Sequence, residues 1–338
     1  MELNNDLKPI LSFVVIGYNV EEYIEECLTS VSRQTITNIE IIFVNDGSTD
    51  GTLSIVEKLK DNDNRIQIIN QKNAGANSAR ISGFLNSIGK YITFVDGDDF
   101  VNEYLAEVCV NILEKKPNLD FVFFDYTLYN QKKYSHREIK EIGNTFNSSE
   151  YLNAVAFEII NHFICARVFK KDFLHSSHFI KIPRITVGDD LAANIRFSVN
   201  MKLCEHVDKA LYHYRIVENS VSRKDKTKSI ELLEAIRDME VNLTRAGINH
   251  DIIQEIIEFN YFRSYFIYVV KNKNDIDQNQ RLFIEEFRKR KNEILKNKSV
   301  INKISSLKFT DRFLFKFYMI NERATSKIVN KFFNIFDS

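Results

Sequence analysis

The sequence predicts a mixed α/β protein, a mostly parallel sheet with helices on both faces, followed by a helical C-terminal region. Short apolar, β-branched runs alternate with segments whose apolar residues recur at steps of three and four, and the connections between them are short. Several of these runs end in clusters of Asn, Asp, Gly and Ser, the composition of tight turns. Apolar residues make up 44% of 338, so a sizeable core can be buried.

The first strand candidate is LSFVVI at 11–16, broken by Gly17-Tyr18-Asn19. From Glu21 to Ser32, apolar Tyr23, Ile24, Cys27, Leu28 and Val31 fall at helical spacing. A second strand, Ile39 to Val44, runs into the turn signal Asn45-Asp46-Gly47-Ser48-Thr49-Asp50-Gly51. A helix from Thr52 to Leu59, a strand from Arg65 to Asn70 and a helix from Asn77 to Asn86 follow. Tyr91 to Val95 is aromatic and β-branched and reads as a buried strand. A helix from Glu103 to Glu114 and a strand from Leu119 to Phe124 continue the alternation. The loops after the first, second and fourth strands fall on one edge of a parallel sheet, where open α/β sheets place their ligands.

Between Leu119 and Ser149 the pattern weakens. Phe163 to Phe169 reads as a strand, Leu191 to Asn200 as a helix after Gly188-Asp189-Asp190, and Leu211 to Val217 as a returning strand. Beyond Asp225 the period is helical throughout, over 227–246, 250–271 and 278–296, with Gly247 as a helix stop. The expected division is therefore 1–225 and 226–338. The last segment places Phe309, Phe313, Phe317, Ile320, Ala324, Ile328, Phe332 and Phe336 at steps of three or four, with Lys and Arg between them. It reads either as a helix packed on its neighbours or as a basic amphipathic helix at an anionic membrane surface.

Forty-six basic and 46 acidic residues cancel, which argues against a general nucleic-acid binder. The balance hides an asymmetry. From Arg281 to Ser338, 14 Lys and Arg stand against six Asp and Glu, a net of +8, so residues 1–280 carry −8. Cys27, Cys109, Cys165 and Cys204 form no CxxC pair and read as buried thiols of a reducing compartment. The first residues lack the basic-then-apolar pattern of a signal peptide, and no run approaches the roughly 18 apolar residues of a spanning helix. The expectation is a cytoplasmic protein, with peripheral contact at the inner face of the membrane as one role for the basic C-terminal helix.

Asp96-Gly97-Asp98-Asp99, at the end of the fourth strand, is the densest chemical signal. Three carboxylates there repel one another unless a cation sits among them. Hard oxygen donors suit Mg²⁺ or Mn²⁺, which share their remaining positions with substrate phosphates. The alternative is a solvated acidic turn. No GxGxxG, GxSxG or HExxH pattern is present, and Gly83 to Lys90 misses a P-loop by one residue and by Tyr91 in place of Ser or Thr.

Four blocks at successive strand ends together resemble a known family. They are LSFVVIGYN at 11–19, IIFVNDGSTD at 41–50, NAGANSAR at 73–80 and FVDGDD at 94–99. In this order and spacing they are similar to the family 2 glycosyltransferases of GT-A fold, over roughly residues 10–225. The family's usual proline before Val-Tyr-Asn is missing, since Ile16-Gly17 precedes Tyr18 here. RVFKKDFL at 167–174, GDDL at 188–191, and LYHYRI at 211–216 with NSVS at 219–222 resemble later segments of the same family.

The resemblance implies roles for particular residues. Tyr18 and Asp46 would hold the uracil and ribose of a UDP-sugar, with Asn19 and Gly97 in the same nucleotide-binding set. Lys72, Asn73 and Arg80 would line the nucleotide and diphosphate, where a guanidinium pairs bidentately with phosphate oxygens. Asp96 and Asp98 would form a DxD site for Mn²⁺ or Mg²⁺, with Asp98 the direct ligand and Asp99 facing the sugar or a partner behind it. Asp190 would be the catalytic base, with Asp189 in place of the usual glutamate. Arg215 would contact phosphate, and His213 would complete the metal shell; a buried, hydrogen-bonded histidine is the alternative for His213.

The implied chemistry is an inverting, metal-dependent transfer of a sugar from UDP to a hydroxyl of a glycan acceptor, in surface polysaccharide or glycoprotein assembly. Competing readings are a non-catalytic sugar-nucleotide-binding scaffold and a sugar nucleotidyltransferase. A processive synthase would need spanning helices and a QxxRW-type motif, and this chain contains no Trp. The helical C-terminal region would bind acceptor, self-associate into a homo-oligomer, or dock on the membrane.

Overall fold

A computed structural model describes residues 8–130, 133–137, 144–179, 188–217, 229–264 and 278–306. The chain divides into two compact units, one of residues 1–155 with 159–220, the other of 156–158 with 221–338.

The first unit is built on one sheet. In chain order its elements are β1 (Leu11–Gly17), α1 (Ile24–Ser32), β2 (Ile39–Asn45), α2 (Thr52–Asn62), β3 (Ile66–Asn70), α3 (Ala76–Asn86), β4 (Tyr91–Asp96), β5 (Phe100–Val101) and α4 (Leu105–Lys115). There follow β6 (Phe121–Asn130), β7 (Lys133–Arg137), β8 (Thr145–Asn147), α5 (Ser148–Ala156), β9 (Arg167–Lys170), α6 (Asp189–Asn200) and β10 (Leu203–Arg215). The strand order is β3-β2-β1-β4-β9-β6-β10-β5, with β7 paired to β6 and β8 to β10.

β1, β2, β3 and β4 are mutually parallel, and β1 and β2 are buried along their whole length. That burial explains why they read as near-continuous apolar runs, interrupted by Ser12 and Glu40, rather than as alternation. Their register sets Gly17 beside Asn45 and Ile16 beside Asp96, so the loops after β1, β2 and β4 leave from one edge. The sheet is not purely parallel: β9 enters antiparallel between β4 and β6. The expected strand over 163–169 is a 3-10 turn, Ile164–Ala166, followed by the four residues of β9. The expected strand at 211–217 is the second half of β10, which begins at Leu203 and pairs in parallel with β6 through register shifts between Val207 and Tyr212. All four cysteines are buried free thiols.

The second unit is helical: α7 (Ser229–Arg245), α8 (His250–Ser264), α9 (Gln278–Lys296) and α10 (Lys298–Ser306). Leu233, Ile236, Met239, Ile256, Phe259, Phe283, Phe287 and Val300 form its core. Residues 156–158 join it through Asn260, which donates to the Ala156 carbonyl at 3.1 Å, and through the Arg263–Glu158 ion pair at 2.7 Å. Among the described residues no helix is long and apolar enough to cross a membrane. The aromatic, basic stripe from Phe309 onward and the segment 219–222 lie outside the described residues.

Candidate active site

The loops that leave the common sheet edge are tied to one another by the side chains the sequence singles out. Asn19 follows β1 in left-handed backbone, φ 54°, a conformation Asn tolerates through short local hydrogen bonds. Its side-chain oxygen accepts from Thr49 N at 2.8 Å, and its own amide donates to Ser48 Oγ at 3.1 Å, which joins the first two loops. Tyr18, beside it, is 44% exposed. Asp46 is buried after β2 and receives three hydrogen bonds from the segment before α3. Its Oδ1 accepts from Gln71 Nε2 at 2.7 Å and Ala74 N at 3.0 Å, and its Oδ2 from Gly75 N at 2.9 Å. Asp46 thus fixes the loop that presents the exposed Lys72 and Asn73.

The acidic motif is a tight turn, with Asp99 N donating to Asp96 O at 2.9 Å and Gly97 N to Ile16 O at 2.8 Å. Glycine is required at 97, because a Cβ there would stand 2.9 Å from the Ile16 carbonyl oxygen and 3.2 Å from Val20 Cγ2. Asp99 is buried and bound to β10: its Oδ2 accepts from Tyr212 Oη at 2.6 Å and its Oδ1 from Arg215 N at 2.7 Å. Burial and the charges of Asp98 and Asp96 push its carboxyl well above the ordinary range. Asp98 is pushed up to about 6, by burial first and by the Asp96 charge second.

Arg215 reaches the same turn from β10. Its Nε donates to the Asp98 carbonyl at 2.9 Å, and its guanidinium pairs with Glu26. The rings of Tyr23, Phe100 and Tyr129 surround that guanidinium at 5.1, 5.2 and 5.1 Å. His213, two residues earlier, shares a 2.6 Å hydrogen bond between Nδ1 and Thr127 Oγ1 and stacks on Phe100 at 4.6 Å. Burial lowers its pKa, which favours the neutral ring.

The third component is the start of α6. Gly188 precedes it with φ 82°, and Asp189 and Asp190 occupy the first turn, where the helix dipole favours negative charge. Arg80 of α3 is buried and faces three carboxylates: Asp96 Oδ1 at 3.1 Å from Nη2, and Asp189 Oδ2 and Asp190 Oδ1 each at 3.5 Å from Nη1. Among the described residues its buried Nε has no hydrogen-bond partner. Asn77, one turn before Arg80 on the same face, donates to Asp189 Oδ2 at 3.1 Å. Ile164 N donates to Asp190 Oδ2 at 3.4 Å. Burial raises both aspartates above the ordinary range, and the Arg80 charge opposes it.

The structure therefore brings Arg80, Asp96, Asp189 and Asp190 into one cluster, with Asp98 on the same strand-end turn. Tyr212 and Asn77 have structural roles there that the sequence reading did not assign. Asn77 carried a signal, its i, i+3 spacing to Arg80, and Tyr212 lies in the 211–216 segment of the resemblance, though nothing local pointed to its partner Asp99. Among the described residues no group of three His, Cys, Asp or Glu could enclose a metal by itself. A pair of strand-end carboxylates, one of them raised in pKa by its neighbour, fits instead a hard divalent ion that completes its shell with phosphate oxygens and water.

Comparison with known proteins agrees with this architecture. Residues 12–176 match the family model for glycosyl transferase family 2. Glycosyltransferase GlyA of Streptococcus pneumoniae is 31% identical over 228 residues, 63% of this chain and 31% of that protein, so the chain spans under a third of its length. Glycosyltransferase GlyG of the same organism is 28% identical over 299 residues, 83% of this chain and 94% of that one. The Staphylococcus aureus TarS fragment crystallised with UDP-GlcNAc has the same fold at a TM-score of 0.68 and 19% identity, over 82% of this chain and 80% of that one. The segment 12–176, which carries the loops after β1, β2 and β4, thus belongs to glycosyl transferase family 2.

Proposed function

We propose that the protein transfers a sugar from a UDP-sugar to a hydroxyl of a glycan acceptor, with inversion at the anomeric carbon. The observation that carries this reading is the position of Asp190, which shares the Arg80 guanidinium with Asp96 of the acidic turn. A base and a diphosphate-binding edge thus face one another across a single cation. The loops of Tyr18-Asn19, Asp46 and Lys72-Asn73 would take the uridine. Asp98, with Asp96, would hold Mn²⁺ or Mg²⁺, which when bound neutralises charge on the leaving diphosphate.

The acceptor oxygen forms a bond to the anomeric carbon as the bond from that carbon to the diphosphate oxygen breaks. The bonding electrons leave with UDP, and the acceptor proton passes to the Asp190 carboxylate. A positioned base contributes ~10²–10⁴-fold to such a step. Burial raises the Asp190 pKa toward the working pH, which suits a base that must release its proton afterwards. Asp189, anchored by Asn77, would set the edge of the acceptor site. The net +8 of residues 281–338 supports work at the cytoplasmic face of a membrane on a lipid- or protein-linked glycan.

A donor screen tests the reading. UDP release is measured with UDP-glucose, UDP-galactose and their N-acetyl forms in Mn²⁺, Mg²⁺ or EDTA, alongside Asp190→Asn. Release from one donor that EDTA abolishes, with Asp190→Asn nearly inactive yet still binding UDP, is the expected result. Near-normal turnover in Asp190→Asn would remove Asp190 from the role of base.

A further inference from the structure

Arg167, at the start of β9, is fully buried, yet all four of its hydrogen bonds go to neutral acceptors. Nε donates to Tyr151 Oη at 2.9 Å, Nη1 to Asn161 Oδ1 at 3.3 Å and to the Phe163 carbonyl, and Nη2 to the Asn161 carbonyl at 2.6 Å. Among the described residues no carboxylate stands within ion-pair distance of it. A buried cation held this way is costly, and apolar side chains of similar volume serve a fold at least as well. Its rigid fork of donors does what no apolar side chain can, which is to fix several acceptors at once.

Both arms of that fork lead to Asp190. The first grips the Asn161 and Phe163 carbonyls and so holds the turn that delivers Ile164, whose amide donates to Asp190 Oδ2 at 3.4 Å. The second runs through Tyr151. Since arginine only donates, the Tyr151 hydroxyl accepts from it and donates its own hydrogen bond to Asn194 Oδ1 at 2.5 Å. That bond orients the Asn194 amide, whose nitrogen then donates to the Asp190 carbonyl and to the His162 carbonyl, each at 2.7 Å. One arm ends on the carboxylate of Asp190 and the other on its backbone, and His162 links the two.

We infer that Arg167 is a positioning residue for sugar transfer: through the 161–164 turn and through Tyr151 and Asn194 it holds the Asp190 carboxylate in its working orientation. The inference rests on the reading of Asp190 as the base. It assigns a role to a residue 23 positions away in sequence, on a strand that makes none of the nucleotide contacts proposed above.

Tyr151→Phe tests it, because the ring stays and only the hydroxyl link is cut. Arg167→Lys keeps the charge and loses the fork. UDP-binding sites are counted by titration with UDP and Mn²⁺, and kcat for UDP release from the donor found in the screen is expressed per site. In Tyr151→Phe, kcat per site is expected to fall at least about tenfold, toward the ~10²-fold that a 1 Å misplacement costs, with donor KM and UDP affinity within about twofold of the parent. Arg167→Lys behaves alike, since charge alone does not restore the fork. Hydrogen exchange at the Ile164 amide rises in Tyr151→Phe to the level of Asp190→Ala. A role confined to folding would lower the number of sites and the melting temperature while leaving kcat per site and Ile164 exchange unchanged, and that result overturns the inference. If Asp190→Asn keeps its turnover, the reading of the base fails; if Asp190→Asn is inactive and Tyr151→Phe is normal per site, only the brace fails.

Discussion

Asp98→Asn is expected to stabilise the empty protein while removing its cation-assisted grip on UDP. In the folded chain burial and the neighbouring Asp96 push the Asp98 carboxyl up to about 6, from the 3.8 of an unperturbed side chain. A carboxylate with a raised folded-state pKa opposes folding wherever it is ionised. The cost vanishes below pH 3.8, where both states are protonated, grows between the two pKa values, and is complete above pH 6. A difference of about two pH units corresponds to about 3 kcal/mol at pH 8, to roughly half of that at pH 5, and to almost nothing below pH 4. Asparagine carries no charge, so the variant gains what the aspartate forfeits. Urea unfolding of both proteins in EDTA at pH 5 and pH 8 measures the two gains, and UDP titration with and without Mn²⁺ measures the loss. A variant less stable than its parent at pH 8, or a gain equal at both pH values, would refute a desolvated, charge-crowded Asp98. UDP affinity that still rises with Mn²⁺ in the variant would refute Asp98 as the ligand.

Arg80→Met leaves Asp96, Asp189 and Asp190 facing one another without a counter-charge, and removing one partner of a buried ion cluster costs about 3–5 kcal/mol. The loss is largest at pH 8 and shrinks toward pH 5, as the two α6 aspartates, already raised by burial, take up protons; equal urea midpoints for variant and parent at pH 8 would refute it. Gly97→Ala sets a methyl group 2.9 Å from the Ile16 carbonyl oxygen, a backbone atom that cannot turn aside. It should cost about 1–3 kcal/mol in urea unfolding and weaken UDP binding, and a variant of unchanged midpoint would show that the turn has room.

The strands that build the proposed nucleotide edge were legible because they are buried on both faces. LSFVVIG and IEIIFVN read as strands whatever their partners, and the turn residues after them announce where they stop. β10 was legible only in its second half. Its LCEHVDKA segment mixes charge with apolar residues and carries the register shifts near Val207 and Ala210, so no period of two survives there. The 3-10 turn before β9 reads as strand because Phe163 to Ala166 is apolar and runs straight into Val168 and Phe169 with only Arg167 between, and short apolar runs do not distinguish turn from strand. At the site, residue types announced the acids and the arginine, but not who faces whom. The contacts of Arg80 with α6 span 109 and 110 positions of chain, and the two bonds of Asp99 to β10 are set by strand order. Such partners are decided by tertiary packing, to which a local pattern is blind.

The charges of the proposed site bear on how its ligands would enter. Asp96, Asp189 and Asp190 crowd one guanidinium, Asp98 stands on the same turn, and the neighbouring cation of Arg215 is already paired with Glu26. A diphosphate brought to this edge adds negative charge to a cluster in which burial has already raised several carboxyls. A divalent cation adds the charge of opposite sign, so under the proposed reading cation and UDP should bind with positive coupling, each raising the affinity of the other by the same factor. Arg80 can then turn part of its fork to the diphosphate without leaving the acids uncompensated, and Asp190 is left with the Ile164 amide and the brace behind it. On this reasoning the base is held from the protein side, by neutral donors that a bound donor sugar need not disturb, while the charges on the ligand side rearrange.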